Sequence, residues 1–366
     1  MTTASDELRQ ALKQEASRAA ADLISSDLLR RLLETLGQID ERYWQHCRDQ
    51  GWTAIGIPEA YGGIGLGLAE ICILAQSGGQ AAGGMPLLES GFAMAQALLR
   101  SDNQGLKAHW LPQLASGASR GLLSIVDSSD LIPGQSGGLS WKDGHLHGFR
   151  RAVPVAAIAD VAILSVETSD GCALALVDLA APDVTRTVID SFDNSRCAAD
   201  LTFDEVAAEL LHLQSPRAAI EELLDMQAAM TAYQQIGGAD TMLQAARDYA
   251  LQRRAFGQPI GAFQSVKHRI AEGYVLVELA RASAETAVAN IGTVDFGRSA
   301  MAARLLATEA YEAVTRDAVQ MHGGIGVTWE ADLHLHQRRA RTLALELGPI
   351  MAWDDRLAET LCGDPE

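Results

Sequence analysis

The chain has 366 residues, 48% of them hydrophobic and 21% charged, which is enough apolar material for a large core and roughly two to three domains. Its 47 acidic residues against 29 basic ones leave a net charge of -18, which repels phosphate backbones and argues against sequence-independent nucleic-acid binding. A local basic pocket for a phosphorylated small molecule is still allowed. Cys47, Cys72, Cys172, Cys197 and Cys362 are scattered with no CxxC pair, so they read as reduced thiols and not as a disulfide frame or a zinc site.

The first twenty residues, MTTASDELRQALKQEASRAA, are polar and helical in pattern, unlike a secretory signal, and no run of about 18 apolar residues appears. A soluble cytoplasmic protein without a membrane span is expected. Residues 1–120 read as a helical domain, with Leu28, Leu29, Leu32, Leu33 and Leu36 at helical spacing. The glycine-rich stretch 56-GIPEAYGGIGLG-67 breaks this pattern, and the region ends at 110-WLPQLASG-117. Over 121–212 the texture changes to short apolar or alternating runs: LLSIV, HLHGF, DVAILSV, CALALVDL and ADLTF. Turn signals at 133-PGQSGG-138, 143-DG-144 and 169-SDG-171 separate them, which suits a small β domain. Residues 213–366 are helical again. A proline-free run over 219–256 is long enough for roughly ten turns, Val266, Ile270, Tyr274 and Val277 mark a second helix, and 298–321 forms a third, stopped at Gly323-Gly324.

Two segments carry candidate chemistry. In 320-QMHGGIGVTWEADLHLHQRRARTLALELGP-349 the glycine pair reads first as a helix stop, because glycine adopts positive φ cheaply. A GGxG without a lysine and without a preceding strand is a weak phosphate signal. His334 and His336 are two residues apart, so on a helix they diverge, and no HExxH is present. Together with His322 they read as structural histidines and not as metal ligands. In 253-RRAFGQPIGAFQSVKHRIAE-272, Arg253 and Arg254 close one helix and Gln264 opens the next. Cations at a helix C-terminus complement its dipole, and an arginine there can also pair with a pyrophosphate beside an aromatic ring.

Together, RxxFGxPIxxFQxVKHRxA and QxHGGxGxTWExDxHLxxRRA resemble the acyl-CoA dehydrogenase family. 51-GWTAIGIPEAYGGIGLGLAE-70 is similar to that family's N-terminal loop, and 110-WLPQLASG-117 to the exit of its helical domain. The resemblance implies an N-terminal α-helical domain, a middle β-barrel-like domain and a C-terminal four-helix bundle. It also implies FAD bound at a subunit interface. In the family, a carboxylate takes the α-proton of an acyl-CoA while the flavin takes the β-hydride, and the thioester oxygen is hydrogen-bonded. The family's pyrophosphate arginine falls on Arg253, with Phe256 beside it and Gln264 opening the next helix. Contacts from the neighbouring subunit fall on Gln320, Gly323 and Gly324.

Elsewhere the chain departs from the family's pattern. Where members carry a threonine-glutamate and a GAGSD-like turn, it reads 122-LLSIVDSSDLIPGQSGG-138, with Ser128 as a substitute hydroxyl. Where they carry tryptophan-isoleucine-threonine, it reads 149-FRRAVPVAAIAD-160. Three family positions for the catalytic base hold Leu347, Gln227 and Gln234 instead of an acid. Glu346 is one residue from the first of these, where it is expected to rotate away from the flavin. Glutamine is nearly isosteric with glutamate but takes no proton at neutral pH. Three readings stay open. The chain is the base-less subunit of a heteromeric dehydrogenase resembling the type that shortens steroid side chains, with a paired subunit, a bulky acyl-CoA and an electron-transfer flavoprotein as partners. Or it is self-sufficient through Glu346 or Asp225. Or it is a non-redox acyl-CoA-binding or structural homologue. Ala228, Ala229 and Ala232 either widen an acyl cavity or pack helices.

Overall fold

The computed structural model describes residues 4–84, 86–126 and 138–363, and within them the chain runs helix, sheet, helix. The helices α1 (Ala4–Leu23), α2 (Ser26–Glu34), α3 (Glu41–Asp49), α4 (Leu68–Gln80), α5 (Ala95–Arg100) and α6 (Gln104–Ala115) come first. Ser25, Asp40 and Asn103 start α2, α3 and α6 by accepting first-turn backbone N–H groups. A π-helical turn, Glu89–Met94, leads into α5. Such turns are uncommon and are found mostly at functional sites.

Next come β1 (Gly121–Ser124), β2 (Leu139–Lys142), β3 (His145–Val153), β4 (Val161–Thr168), β5 (Gly171–Asp178), β6 (Val184–Val188), β7 (Ala199–Ala207) and β8 (Glu209–Leu210). They form one curled sheet in the order β6-β7-β3-β2-β4-β5-β8, with β1 parallel beside β4. Asp143-Gly144, both at positive φ, close the β2–β3 hairpin as the sequence anticipates. The sheet has its own core, with Leu146, Val166, Leu201 and Phe203 buried in it.

A long helix, α7 (Pro216–Gln252, 37 residues), then returns past the N-terminal helices. The small hairpin β9 (Arg254–Ala255) and β10 (Gln258–Pro259) links it to α8 (Gln264–Ala289), followed by α9 (Phe296–His322), α10 (Leu333–Leu345) and α11 (Ile350–Cys362). Helices α7 to α10 form the bundle, whose core is rich in alanine and therefore lets the axes approach closely. Ala232 is fully buried in this core, and Ala228 and Ala229 are fully buried in the core shared with the N-terminal helices. Helices α4 and α7 also cross in close contact. A Cβ on Gly79 would lie 1.9 Å from the Gln234 carbonyl oxygen, and one on Gly237 2.0 Å from that of Gln76. The glycines around position 234 are therefore packing residues. Among the described residues no helix is long and apolar enough to cross a membrane.

Candidate active site

Where the middle of α7, the π-helical turn, β1, the β6–β7 connection and the end of α10 converge, they form a cavity of about 290 Å³. Its wall brings together Gln227, Gln234, Glu346 and Leu347, which sequence reasoning had placed in three separate alignments. Leu347 and Gly348 both lie at positive φ, so the usual alternation of side-chain direction fails there and Glu346 reaches the cavity as well. Gln234 is buried and its Nε2 donates to the Gly83 carbonyl at 3.4 Å. The Gln227 Nε2 donates to the Leu123 carbonyl at 3.2 Å. Asp225 is not among the residues that line the cavity; it pairs with Arg356 through both oxygens, at 2.6 and 3.2 Å. Burial pushes the Asp225 carboxyl up, against the lowering by Arg356.

Glu346 is not a free carboxylate. Arg196 donates from Nε to Oε1 at 2.7 Å and from the guanidinium NH2 group to Oε2 at 2.6 Å. The same guanidinium reaches Glu89 Oε1 at 3.0 Å. Burial alone would lower the Arg196 pKa, but Glu346 and Glu89 raise it above its ordinary value. Behind this clamp the buried Arg304 donates to the Leu343 and Glu346 carbonyls and to Gln235 and Thr308, all neutral oxygens. Burial lowers its pKa to about 10, with Glu346 opposing. Arg304 thus holds the turn that carries Glu346. A further pair stands beside the site: Arg339 Nε donates to Asp193 at 2.8 Å, and both groups are buried. Sequence reasoning missed Arg196 and Glu89, which lie 150 and 107 residues from the partners they meet.

The expected FAD contacts stand elsewhere, on the outside of the bundle. Arg253 caps the C-terminus of α7, exposed, and its side chain has no partner among the described residues. Phe256, at φ 52°, is 94% exposed on the hairpin turn and touches Phe263 edge-on at 6.2 Å between ring centres. Gln264 opens α8 and Gln320 lies in the last turn of α9, both exposed. The ends of α7 and α9 are joined by Tyr249 stacked on His322, 4.0 Å between ring centres. Gly323, at φ 63°, stops α9 as expected. Gly324 is different: its φ is not positive, and a Cβ there would meet nothing within 4 Å.

The three histidines are each engaged locally. His322 is paired with the Ala318 carbonyl, His334 is stacked on Trp329, and His336 bonds the Tyr311 hydroxyl at 2.8 Å. Ser128 and the rest of the 127–137 stretch, including the PGQSG turn, lie outside the described residues. Of the 149–160 segment, Arg151, Ala152, Val153 and Pro154 line the cavity.

Comparison with known proteins agrees with this architecture. The family profile of the acyl-CoA dehydrogenase N-terminal domain matches residues 6–118, and that of the C-terminal domain matches 217–351. Acyl-CoA dehydrogenase IpdE2 of Mycobacterium tuberculosis is 31% identical over 336 residues, covering 91% of each chain. The solved Tcur3481-Tcur3483 steroid ACAD superposes with a TM-score of 0.87 at 28% identity, over 97% of this chain and 98% of that one. The ChsE4-ChsE5 complex of Mycobacterium tuberculosis shares the fold, with a TM-score of 0.89 at 24% identity over 100% and 99% of the two chains. The chain belongs to the acyl-CoA dehydrogenase family of FAD-dependent oxidoreductases.

Proposed function

We propose that this chain is the subunit without a catalytic base in a heteromeric acyl-CoA dehydrogenase, contributing part of an FAD site whose reacting carboxylate belongs to a paired subunit. The observation that carries this is the cavity wall. The three base positions hold Leu347, Gln227 and Gln234, and the nearest acid, Glu346, has both oxygens occupied by Arg196. Taking a proton would cost Glu346 a buried ion pair held by two hydrogen bonds to Arg196, which is unfavourable. Asp225 stands away from the cavity, tied to Arg356.

The outer surface fits the cofactor. Arg253 offers an uncompensated guanidinium for a pyrophosphate, with Phe256 exposed beside it to pack on a ring and Gln264 adjacent. Gln320, Gly323 and Gly324 offer a side-chain amide and bare backbone to a site shared with the neighbouring subunit. Nothing in this chain's own packing requires glycine at 324. When bound, FAD accepts the hydride from the acyl β-carbon. The substrate is a bulky, steroid-like acyl-CoA, supported by the likeness to the steroid ACAD formed by two named chains. Electrons leave to an electron-transfer flavoprotein.

One observation favours self-sufficiency: Glu346 does line the cavity. Two experiments separate the readings. The chain produced alone is expected to be colourless and inactive, and flavin absorbance and dehydrogenase activity are expected to appear on co-expression with a paralogue that carries glutamate at the position of Gln234. A yellow, active homo-oligomer overturns the proposal. In the paired complex Glu346→Gln is expected to keep turnover within about threefold, whereas loss of a true base costs ~10²–10⁴-fold.

A further inference from the structure

Two buried acceptors in the cavity wall have no donor among the described residues. One is Oε2 of Glu89, at the start of the π-helical turn; the other is Oε1 of Gln227 on α7. Gln227 is only 8% exposed, and its amide N–H is spent on the Leu123 carbonyl, so its oxygen is the atom left over. Glu89 gives its other oxygen to Arg196, which Glu346 already engages through two bonds. Two carboxylates facing one guanidinium leave this wall with a surplus of acceptor oxygens and of negative charge. Both residues line the cavity, and the terminal side-chain torsions of Glu and Gln are broad. The rest of the lining is largely apolar, with Leu88, Leu123, Val153, Ile189, Met230 and Leu347 prominent.

A wall of this kind does not select for an anion, which its carboxylates repel, nor for a plain hydrocarbon, which leaves both acceptors unmade. A cation would complement that charge, but the acyl group of an acyl-CoA carries none. What remains is a neutral group that donates hydrogen bonds. We propose that this cavity binds an apolar acyl group bearing a hydroxyl, and that Gln227 reads it, its Oε1 accepting the hydroxyl's single O–H. The proposal rests on the acyl-site reading of the cavity but does not need a base in it. Gln227 then has a function of its own in place of the glutamate its position holds in other members: it accepts a ligand proton in a hydrogen bond without abstracting one.

The test is calorimetric titration of the full-length chain, produced on its own, with cyclohexanecarboxyl-CoA and with its ring-hydroxylated analogue. The hydroxylated thioester is expected to bind at least ~10-fold more tightly, because a site built around a hydroxyl discriminates strongly against the analogue that lacks it. Gln227→Met, close in volume but without the acceptor, is expected to reduce that preference several-fold, the ratio of the two affinities being the quantity read. Equal affinities in the unaltered chain mean that water satisfies both oxygens, and they overturn the proposal without recourse to any variant. A preference that survives Gln227→Met intact also overturns it, since the hydroxyl is then read elsewhere. If neither thioester binds, the proposal falls, while the flavin and co-expression results still decide the half-site reading independently.

Discussion

Three nearby glycines show how a residue's local surroundings separate folding from function. Gly323 needs its positive φ to stop α9, and a Cβ on Gly326 would lie 2.6 Å from the Val319 carbonyl oxygen. Gly324 has neither constraint, so a methyl group there costs the isolated chain little. Gly324→Ala is expected to leave the chain's unfolding free energy within about 0.5 kcal/mol of its original value. The same substitution is expected to reduce flavin retained by the paired complex at least several-fold, read from the visible spectrum after gel filtration. Undiminished flavin would remove Gly324 from the cofactor site. His336 supplies a prediction of a different kind. Burial, with Arg339 nearby, lowers its pKa to about 4, against an ordinary value of about 6.5. Above pH 6.5 the imidazole is neutral in both folded and unfolded chains. As pH falls toward 4 only the unfolded chain gains the proton, so stability is full above 6.5 and is lost through this window. The loss reaches up to about 3 kcal/mol. His334, also lowered by burial, adds in the same direction. Urea unfolding at several pH values is expected to show this slope, and His336→Gln to flatten it.

Among the elements, the α4–α7 crossing decides where the cavity's glutamines stand. Gly237→Ala places a methyl group 2.0 Å from the Gln76 carbonyl oxygen, a backbone atom that cannot swing aside. Overpacking of this kind costs ~1–3 kcal/mol and forces the helices apart. We expect a loss of at least ~2 kcal/mol in urea unfolding, with displacement of Gln234, whose backbone faces Gly79 across the same crossing. An unchanged midpoint would mean that the helices slide without cost. This crossing also shows how far sequence reading extends. The family motifs, the long α7 and the alternating strands β3, β4, β5 and β7 were legible because hydrophobic period and turn residues are local signals. Strand β2 (LSWK) and strand β6 (VTRTV) were not singled out, because they are short, half polar and largely exposed. Leu36 continued the leucine spacing of α2 but lies beyond the helix, 45% exposed. The Arg196 clamp had no local signal at all. Its two carboxylates come from a π-helical turn and from the end of α10, and only tertiary structure brings them to one guanidinium. The leucine and glutamines at the family's base positions were legible, but that Leu347, Gln227 and Gln234 share one cavity wall was not.

For the molecule as a whole, the outer bundle surface is hard to explain in an isolated chain of net charge -18. Tyr274, Val275 and Leu279 on α8 are 57%, 53% and 51% exposed, and Phe256, Ile325 and Val327 stand out on the turns at the bundle's end. Large apolar side chains grouped in this way mark a surface meant to be covered. In the proposed assembly, burial of this apolar surface supplies the association. Val275 and Leu279 lie one turn apart on the same face of α8, and being half exposed they contribute little to the chain's own core. The double substitution Val275→Glu with Leu279→Glu is therefore expected to leave the monomer's thermal unfolding nearly unchanged and to lower the mass of the paired complex in light scattering. Flavin is expected to be lost with the partner, because in the proposed assembly Arg253 and Gln320 contribute to a site that two chains complete. Raising the salt concentration should not restore assembly as it would if charge repulsion alone had separated the chains, since the buried apolar contact is what the substitutions remove. A complex of unchanged mass that keeps its flavin would show that α8 faces solvent in the assembly and that the cofactor is shared across another face.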